Sequence, residues 1–151
     1  MTRKRHEDYS NMVQRLYAGD DISVNHALCR NITFQVTSGC NLRCSYCYEH
    51  HKGAEHMSIE TGRKIVDYLL ELYEQGDSDF INRNTRAVVL DFIGGEPLLE
   101  ASLIEKICDY WFAECWRRKI PLAPFTRISF ATNGKLWFSL KRGTFLTSTT
   151  K

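Results

Sequence analysis

The sequence predicts an α/β fold built on parallel strands, and three observations carry that prediction. Residues 31–37, 87–93 and 126–132 are short runs rich in β-branched and aromatic side chains, which read as strands. The two intervals between them carry apolar residues at helical spacing. Each run ends in a polar, turn-forming segment: Ser38-Gly39, Gly94-Gly95 and Asn133-Gly134. The order strand, helix, strand, helix, strand implies parallel neighbours joined by right-handed crossovers. In α/β folds, sites gather at the C-terminal ends of the strands.

A chain of 151 residues has the size of one modest domain. Its hydrophobic content of 43% suffices for a packed core, and its charged content of 25% is ordinary. A net charge of +2 argues against a nucleic-acid partner, and the short Arg3-Lys4-Arg5 cluster reads as a solvated terminus. No apolar run approaches the roughly 18 residues of a membrane span, and no charged-then-apolar leader opens the sequence. A cytoplasmic, non-membrane protein with reduced thiols is expected. In that setting the six cysteines point to metal or core roles rather than disulfides.

Residues 1–30 read as an N-terminal extension. Met12, Val13, Leu16 and Tyr17 have helix-like spacing, and Gly19-Asp20-Asp21 breaks it. Cys29 reads as a core or surface thiol, and His6 and His26 as isolated structural residues. In residues 31–37, apolar and polar positions alternate, as in a strand with one buried face. The first helix has Ser58 as N-cap, Glu60 in its first turn, and Ile59, Ile65, Val66, Leu69, Leu70 and Tyr73 at helical spacing. Gly76 stops it. Residues 87–93 form a continuous apolar run, read as a buried strand, and Pro97 suits the start of the next helix. Leu99, Leu103, Ile104, Ile107, Cys108, Trp111, Phe112 and Cys115 fall on or near one face of that helix, which makes Cys108 and Cys115 core residues. Arg117, Arg118 and Lys119 close it favourably for its dipole, and Pro121 and Pro124 mark the following loop.

The chemistry concentrates in the loop after the first strand. Cys40, Cys44 and Cys47 stand in a CxxxCxxC spacing, close enough for one metal centre to take all three thiolates. Thiolates are soft ligands. A zinc site would draw a fourth ligand from His50 or His51. An iron–sulfur cubane held by three cysteines would leave one iron open to an exogenous ligand. Gly94-Gly95 at a strand end lets backbone approach closely, because no Cβ intervenes.

With an aromatic residue, Tyr46, just before the last cysteine, the run from Cys40 to Cys47 resembles the cluster motif of the radical S-adenosylmethionine (radical SAM) enzymes. Tyr48-Glu49-His50-His51, and Met57-Ser58 ahead of a helix, are more narrowly similar to the branch of anaerobic sulfatase-maturing enzymes and SPASM-type peptide maturases. Gly94-Gly95-Glu96-Pro97 and Thr132-Asn133-Gly134 resemble that family's next two motifs, in the family's order. The resemblance implies that residues 31–138 are the N-terminal half of a partial (β/α)6 barrel of about three strand–helix units. It implies a [4Fe–4S] cluster on Cys40, Cys44 and Cys47, with Tyr46 shielding it. Gly94, Gly95 and Glu96 would meet the amino group of S-adenosylmethionine, and Thr132 and Asn133 would face the cofactor. The implied activity is reductive cleavage of S-adenosylmethionine to a 5′-deoxyadenosyl radical for peptide or protein maturation, with an electron donor such as flavodoxin or ferredoxin. No catalytic side chain beyond these is assigned.

Residues 139–151 form an irregular, Ser/Thr-rich tail where the family continues into further strand–helix units. A shifted reading frame from the Ser139 codon and a truncation each account for it. Two other readings of the chain are a zinc-binding interaction module and an inactive remnant.

Overall fold

A computed structural model describes residues 29–47 and 53–136. The N-terminal extension before Cys29, residues 48–52 with His50 and His51, and the tail lie outside the described residues. The described elements follow the expected order: β1 (Cys29–Thr37), α1 (Ile59–Gln75), β2 (Ala87–Gly94), α2 (Ala101–Arg118) and β3 (Thr126–Phe130). Short 3-10 turns, Pro97–Glu100 and Ala123–Phe125, precede α2 and β3. The three strands form one parallel sheet in the order β1-β2-β3. β1 begins at Cys29, two residues earlier than the alternation suggests, and Cys29 pairs with Ala87.

Side-chain period explains which face is covered. Ile32, Phe34 and Val36 of β1 and Val88, Leu90 and Phe92 of β2 are buried. Asn31, Thr33 and Gln35, on the opposite face of β1, are exposed. β2 therefore follows the same alternation, with Val89, Asp91 and Ile93 only half-buried, although its apolar run suggests burial on both faces. Phe34, Phe92 and Phe130 occupy neighbouring register positions, and their rings stack at centroid distances of 5.3 and 5.9 Å.

Both helices cover that apolar face. α1 carries the expected caps: the Ser58 hydroxyl accepts from the Thr61 N–H, and Gly76 closes the helix at φ 82°. Val66, Leu69, Leu70 and Tyr73 of α1 pack in one cluster with Leu103, Ile104, Ile107, Cys108, Trp111 and Cys115 of α2. Trp111 is fully buried, and its indole N–H donates to Thr126 Oγ1 at 3.0 Å, tying α2 to the start of β3. Leu99 departs from the expected pattern. It lies in the 3-10 turn before α2 and is 46% exposed, because that turn does not continue the helical register. No described helix is long and apolar enough to cross a membrane.

Candidate metal centre

The cysteine loop is fixed at its base by hydrogen bonds. At the end of β1 the register slips between Gln35 and Thr37, so Thr37 pairs with Gly94 and sits buried beside it. The chain leaves the sheet at Ser38 and returns at Glu55. The Glu55 carbonyl accepts from the Ser38 N–H at 2.9 Å, from Thr37 Oγ1 at 3.1 Å and from Ser38 Oγ at 3.3 Å. Glu55 N–H donates back to Ser38 Oγ, and Met57 N–H donates to the Val36 carbonyl at 2.9 Å. Thr37 Oγ1 also accepts from Gly39 N–H at 3.0 Å, which sets the first turn of the loop. Sequence reasoning missed this clamp. Its main acceptor is a backbone carbonyl, which no residue type marks.

The Gly94-Gly95 turn packs directly on that loop. A Cβ on Gly94 would lie 2.2 Å from the Thr37 carbonyl oxygen, and one on Gly95 would lie 2.4 Å from that of Gly39. The two glycines are thus required by close approach of backbone to backbone. Gly95 N–H donates to the Thr37 carbonyl at 3.1 Å, and Glu96 N–H donates to that of Gly39 at 2.8 Å. Through these bonds β2 holds the entry to the cysteine loop.

Glu96 turns inward and is fully buried. Its carboxylate accepts from Leu98 N–H at 2.9 Å, capping the 3-10 turn, and from the Thr132 hydroxyl at 2.8 Å and Asn133 N–H at 2.9 Å. Three of roughly four lone-pair directions are therefore used within the chain. This joins the second and third motifs into one hydrogen-bonded unit. Thr132 Oγ1 in turn accepts from Gly134 N–H at 3.0 Å. Asn133 Oδ1 accepts from Lys135 N–H, so its Nδ2 faces the cysteine loop, 2.9 Å from Asn41 Oδ1 and 4.0 Å from Cys40 Sγ.

Cys40, Cys44 and Cys47 are all free thiols and half-buried. Cys47 N–H donates to the Cys44 carbonyl at 3.2 Å, making a turn between the last two. Among the described residues, no three His, Cys, Asp or Glu side chains converge into a metal site. Tyr46 is 88% exposed and buries little of itself against the loop. Cys108 and Cys115 are core residues: burial pushes the Cys108 thiol up to about 12, with Asp109 and Glu105 adding to it, and burial also raises Cys115. Both stay protonated and out of reach as ligands.

The donor set fits an iron–sulfur cluster. It offers three soft ligands on one loop, at the C-terminal end of a strand. Two N–H groups also lie near the Cys40 sulfur: the Leu42 backbone at 3.4 Å and Asn133 Nδ2. Such donors accompany thiolates that carry metal charge.

Comparison with known proteins agrees with that donor set. The chain is 40% identical over 81 residues to the uncharacterized protein MJ0907 of Methanocaldococcus jannaschii, covering 54% of this chain and 24% of that protein. It is 26% identical over 134 residues to the radical SAM cyclopropyl synthase TigE of Paramaledivibacter caminithermalis, covering 82% of this chain and 25% of that protein. The chain thus spans about a quarter of the length of these relatives. Residues 29–135 match the family described as a 4Fe-4S single cluster domain. That match and the radical SAM relative support a 4Fe–4S cluster as cofactor and a place in the radical SAM superfamily. The match takes in the whole parallel sheet and all three cysteines, and the chain belongs to the 4Fe-4S single cluster domain family.

Proposed function

We propose that this chain is the cluster-bearing part of a radical SAM enzyme that acts on a peptide or protein side chain. The observation that carries the reading is the convergence of three separated motifs. The cysteine loop, the Gly94–Glu96 turn and the Thr132–Asn133 turn lie in hydrogen-bond contact at one end of the sheet. In this reading Cys40, Cys44 and Cys47 hold three irons of a [4Fe–4S] cluster. Bound there, the cluster and S-adenosylmethionine would supply one-electron reductive chemistry that starts hydrogen-atom abstraction from the substrate.

The protein's own part is positional. The clamp on Glu55 fixes where the loop leaves the sheet, and the glycine turn fixes its height above β2. Glu96, buried and accepting three hydrogen bonds within the chain, holds the Thr132–Asn133 turn beside the glycine turn, and the backbone of Gly94 and Gly95 offers polar groups to an amino group. Thr132 and Asn133 complete the same rim. Tyr46, exposed beside the last cysteine, is placed to cover a bound cluster.

The finer points of the reading rest on the motif resemblance. They are the sulfatase-maturase or SPASM-type branch, a flavodoxin or ferredoxin as electron donor, a cytoplasmic setting, and a first half-barrel over residues 31–138. The cyclopropyl synthase relative supports radical chemistry of this general kind. The test is anaerobic reconstitution with iron and sulfide, followed by EPR with and without S-adenosylmethionine. The expected result is a reduced cubane signal that changes on adding the cofactor and is lost in Cys44→Ala. Stoichiometric zinc in place of iron would replace this reading with that of a zinc module.

A further inference from the structure

Among the described residues, Cys40 is the one of the three loop cysteines whose sulfur has N–H groups near it. Leu42 N–H lies 3.4 Å from it and Asn133 Nδ2 lies 4.0 Å from it. The direction of the Asn133 amide is not arbitrary. Glu96, being acceptor-only when ionised, takes the Asn133 backbone N–H and the Thr132 hydroxyl proton. Lys135 N–H then occupies Asn133 Oδ1. The two hydrogens on Nδ2 are left for Asn41 Oδ1 and the Cys40 sulfur. An amide N–H near a ligating sulfur stabilises negative charge on it, and the charge on a reduced cluster is the larger. Hydrogen bonds to the sulfurs are one of the protein's means of setting cluster potential.

We propose that Asn133, oriented by the buried Glu96, is a positioning residue for the Cys40 ligand, and that its side-chain N–H raises the reduction potential of the bound cluster. This rests on the function proposed above. It gives the third motif a task toward the cluster itself, in addition to any contact with a substrate or S-adenosylmethionine.

The experiment is an EPR-monitored redox titration of the full 151-residue chain after anaerobic reconstitution. It compares the wild type with Asn133→Ala, Asn133→Asp and Glu96→Gln. Iron content and far-UV circular dichroism are measured on each sample. Asn133→Asp preserves shape and the oxygen that accepts from Lys135, but sets a carboxylate oxygen where the donor stood.

The expected result is an unchanged iron content and a lower midpoint potential in both Asn133 variants, with the larger fall in Asn133→Asp. A tenfold smaller reduction constant reads as a fall of about 59 mV for one electron. Glu96→Gln loses the oxygen that accepts from Asn133 N–H but also a negative charge, and the two act on the potential in opposite directions, so its shift should be smaller than that of Asn133→Ala. Wild-type potentials in both folded, iron-loaded Asn133 variants overturn this inference and leave the proposed function standing. Loss of iron from both variants, with circular dichroism unchanged, overturns it in favour of a purely ligand-holding role. A wild-type chain that takes up no cluster overturns the proposed function and this inference together.

Discussion

The two ends of this small sheet's structure are held by different means. On the helix side, side chains do the work. Trp111, Phe34, Phe92, Leu70 and Ile107 are fully buried. Arg118, at 11% side-chain exposure, reaches Asp67, Glu74 and Glu114 at 2.8 to 3.2 Å and so bridges α1 and α2. At the strand ends, backbone does the work: carbonyls of Thr37, Gly39 and Glu55 receive the N–H groups that place the cysteine loop. The difference teaches that the frame depends on how side chains fill its volume, and the site on how closely backbone can approach backbone. Side-chain packing gives most of the stability of a domain this size. Backbone clearance decides where three thiols end up.

A matched pair of substitutions tries to break that division. Trp111→Ala empties a large, fully buried site and removes the bond to Thr126, which should cost about 3–5 kcal/mol in urea unfolding. The fraction that stays folded should still bind iron at the wild-type ratio. Gly95→Ala adds one methyl group whose carbon would lie 2.4 Å from the Gly39 carbonyl oxygen, a backbone atom that cannot swing away. Its cost should be smaller, about 1–3 kcal/mol. It should nevertheless cut iron uptake more than Trp111→Ala does, because it displaces the loop from β2. Equal iron uptake in the two variants would end the division.

The same division explains how much was legible in the sequence. Strand alternation, the Ser58 cap and the Gly76 stop are local signals, and the structure places each where the pattern puts it. The first residue of β1 was not legible, since the pairing of Cys29 with Ala87 depends on a partner far along the chain. Leu99 falls in phase with the apolar face of α2 by counting, but the intervening 3-10 turn changes that phase. At the site, the three motifs are recognisable by residue type and order. The inward turn of Glu96 toward Thr132 and Asn133 is not, because the sheet register brings these residues together across 36 and 37 positions. The reason for Gly94 and Gly95 was half legible: a close approach was readable, but its partner, the backbone of the cysteine loop, was not.

The ion network on the helix side sharpens the comparison through pH. Hydrogen bonding from Arg117, and then from Arg118, holds the Glu114 carboxyl below its ordinary value of 4.5 against the opposing effect of burial. A carboxyl with a folded-state value below its unfolded one stabilises the fold while ionised. That contribution is complete above about pH 5 and is lost as pH falls through the folded value. The urea midpoint should therefore decline as pH falls below about 5, and Glu114→Gln should flatten part of that decline. An equally steep decline in the variant would assign the acid sensitivity to other carboxylates.

The smallest effect expected lies at the end of α2. Lys119 has φ 57° and ψ 35°, the only non-glycine residue with positive φ among those described. Its backbone N–H donates to the Trp116 carbonyl at 3.2 Å, and Ile120 N–H donates to that of Cys115 at 2.8 Å, so the left-handed turn is what closes the helix. A side chain in that conformation costs about 1–2 kcal/mol. Glycine removes the cost but gives up about 0.5 kcal/mol to its freer unfolded chain. Losing one charge near the helix terminus subtracts about 0.3 kcal/mol more, the low end of the range, because Arg117 and Arg118 remain in the last turn. Lys119→Gly should therefore raise stability by about 0.5 kcal/mol, read as a higher urea midpoint at unchanged slope. Iron content after reconstitution should stay as in the wild type, since the substitution changes the frame and leaves every backbone contact of the cysteine loop in place.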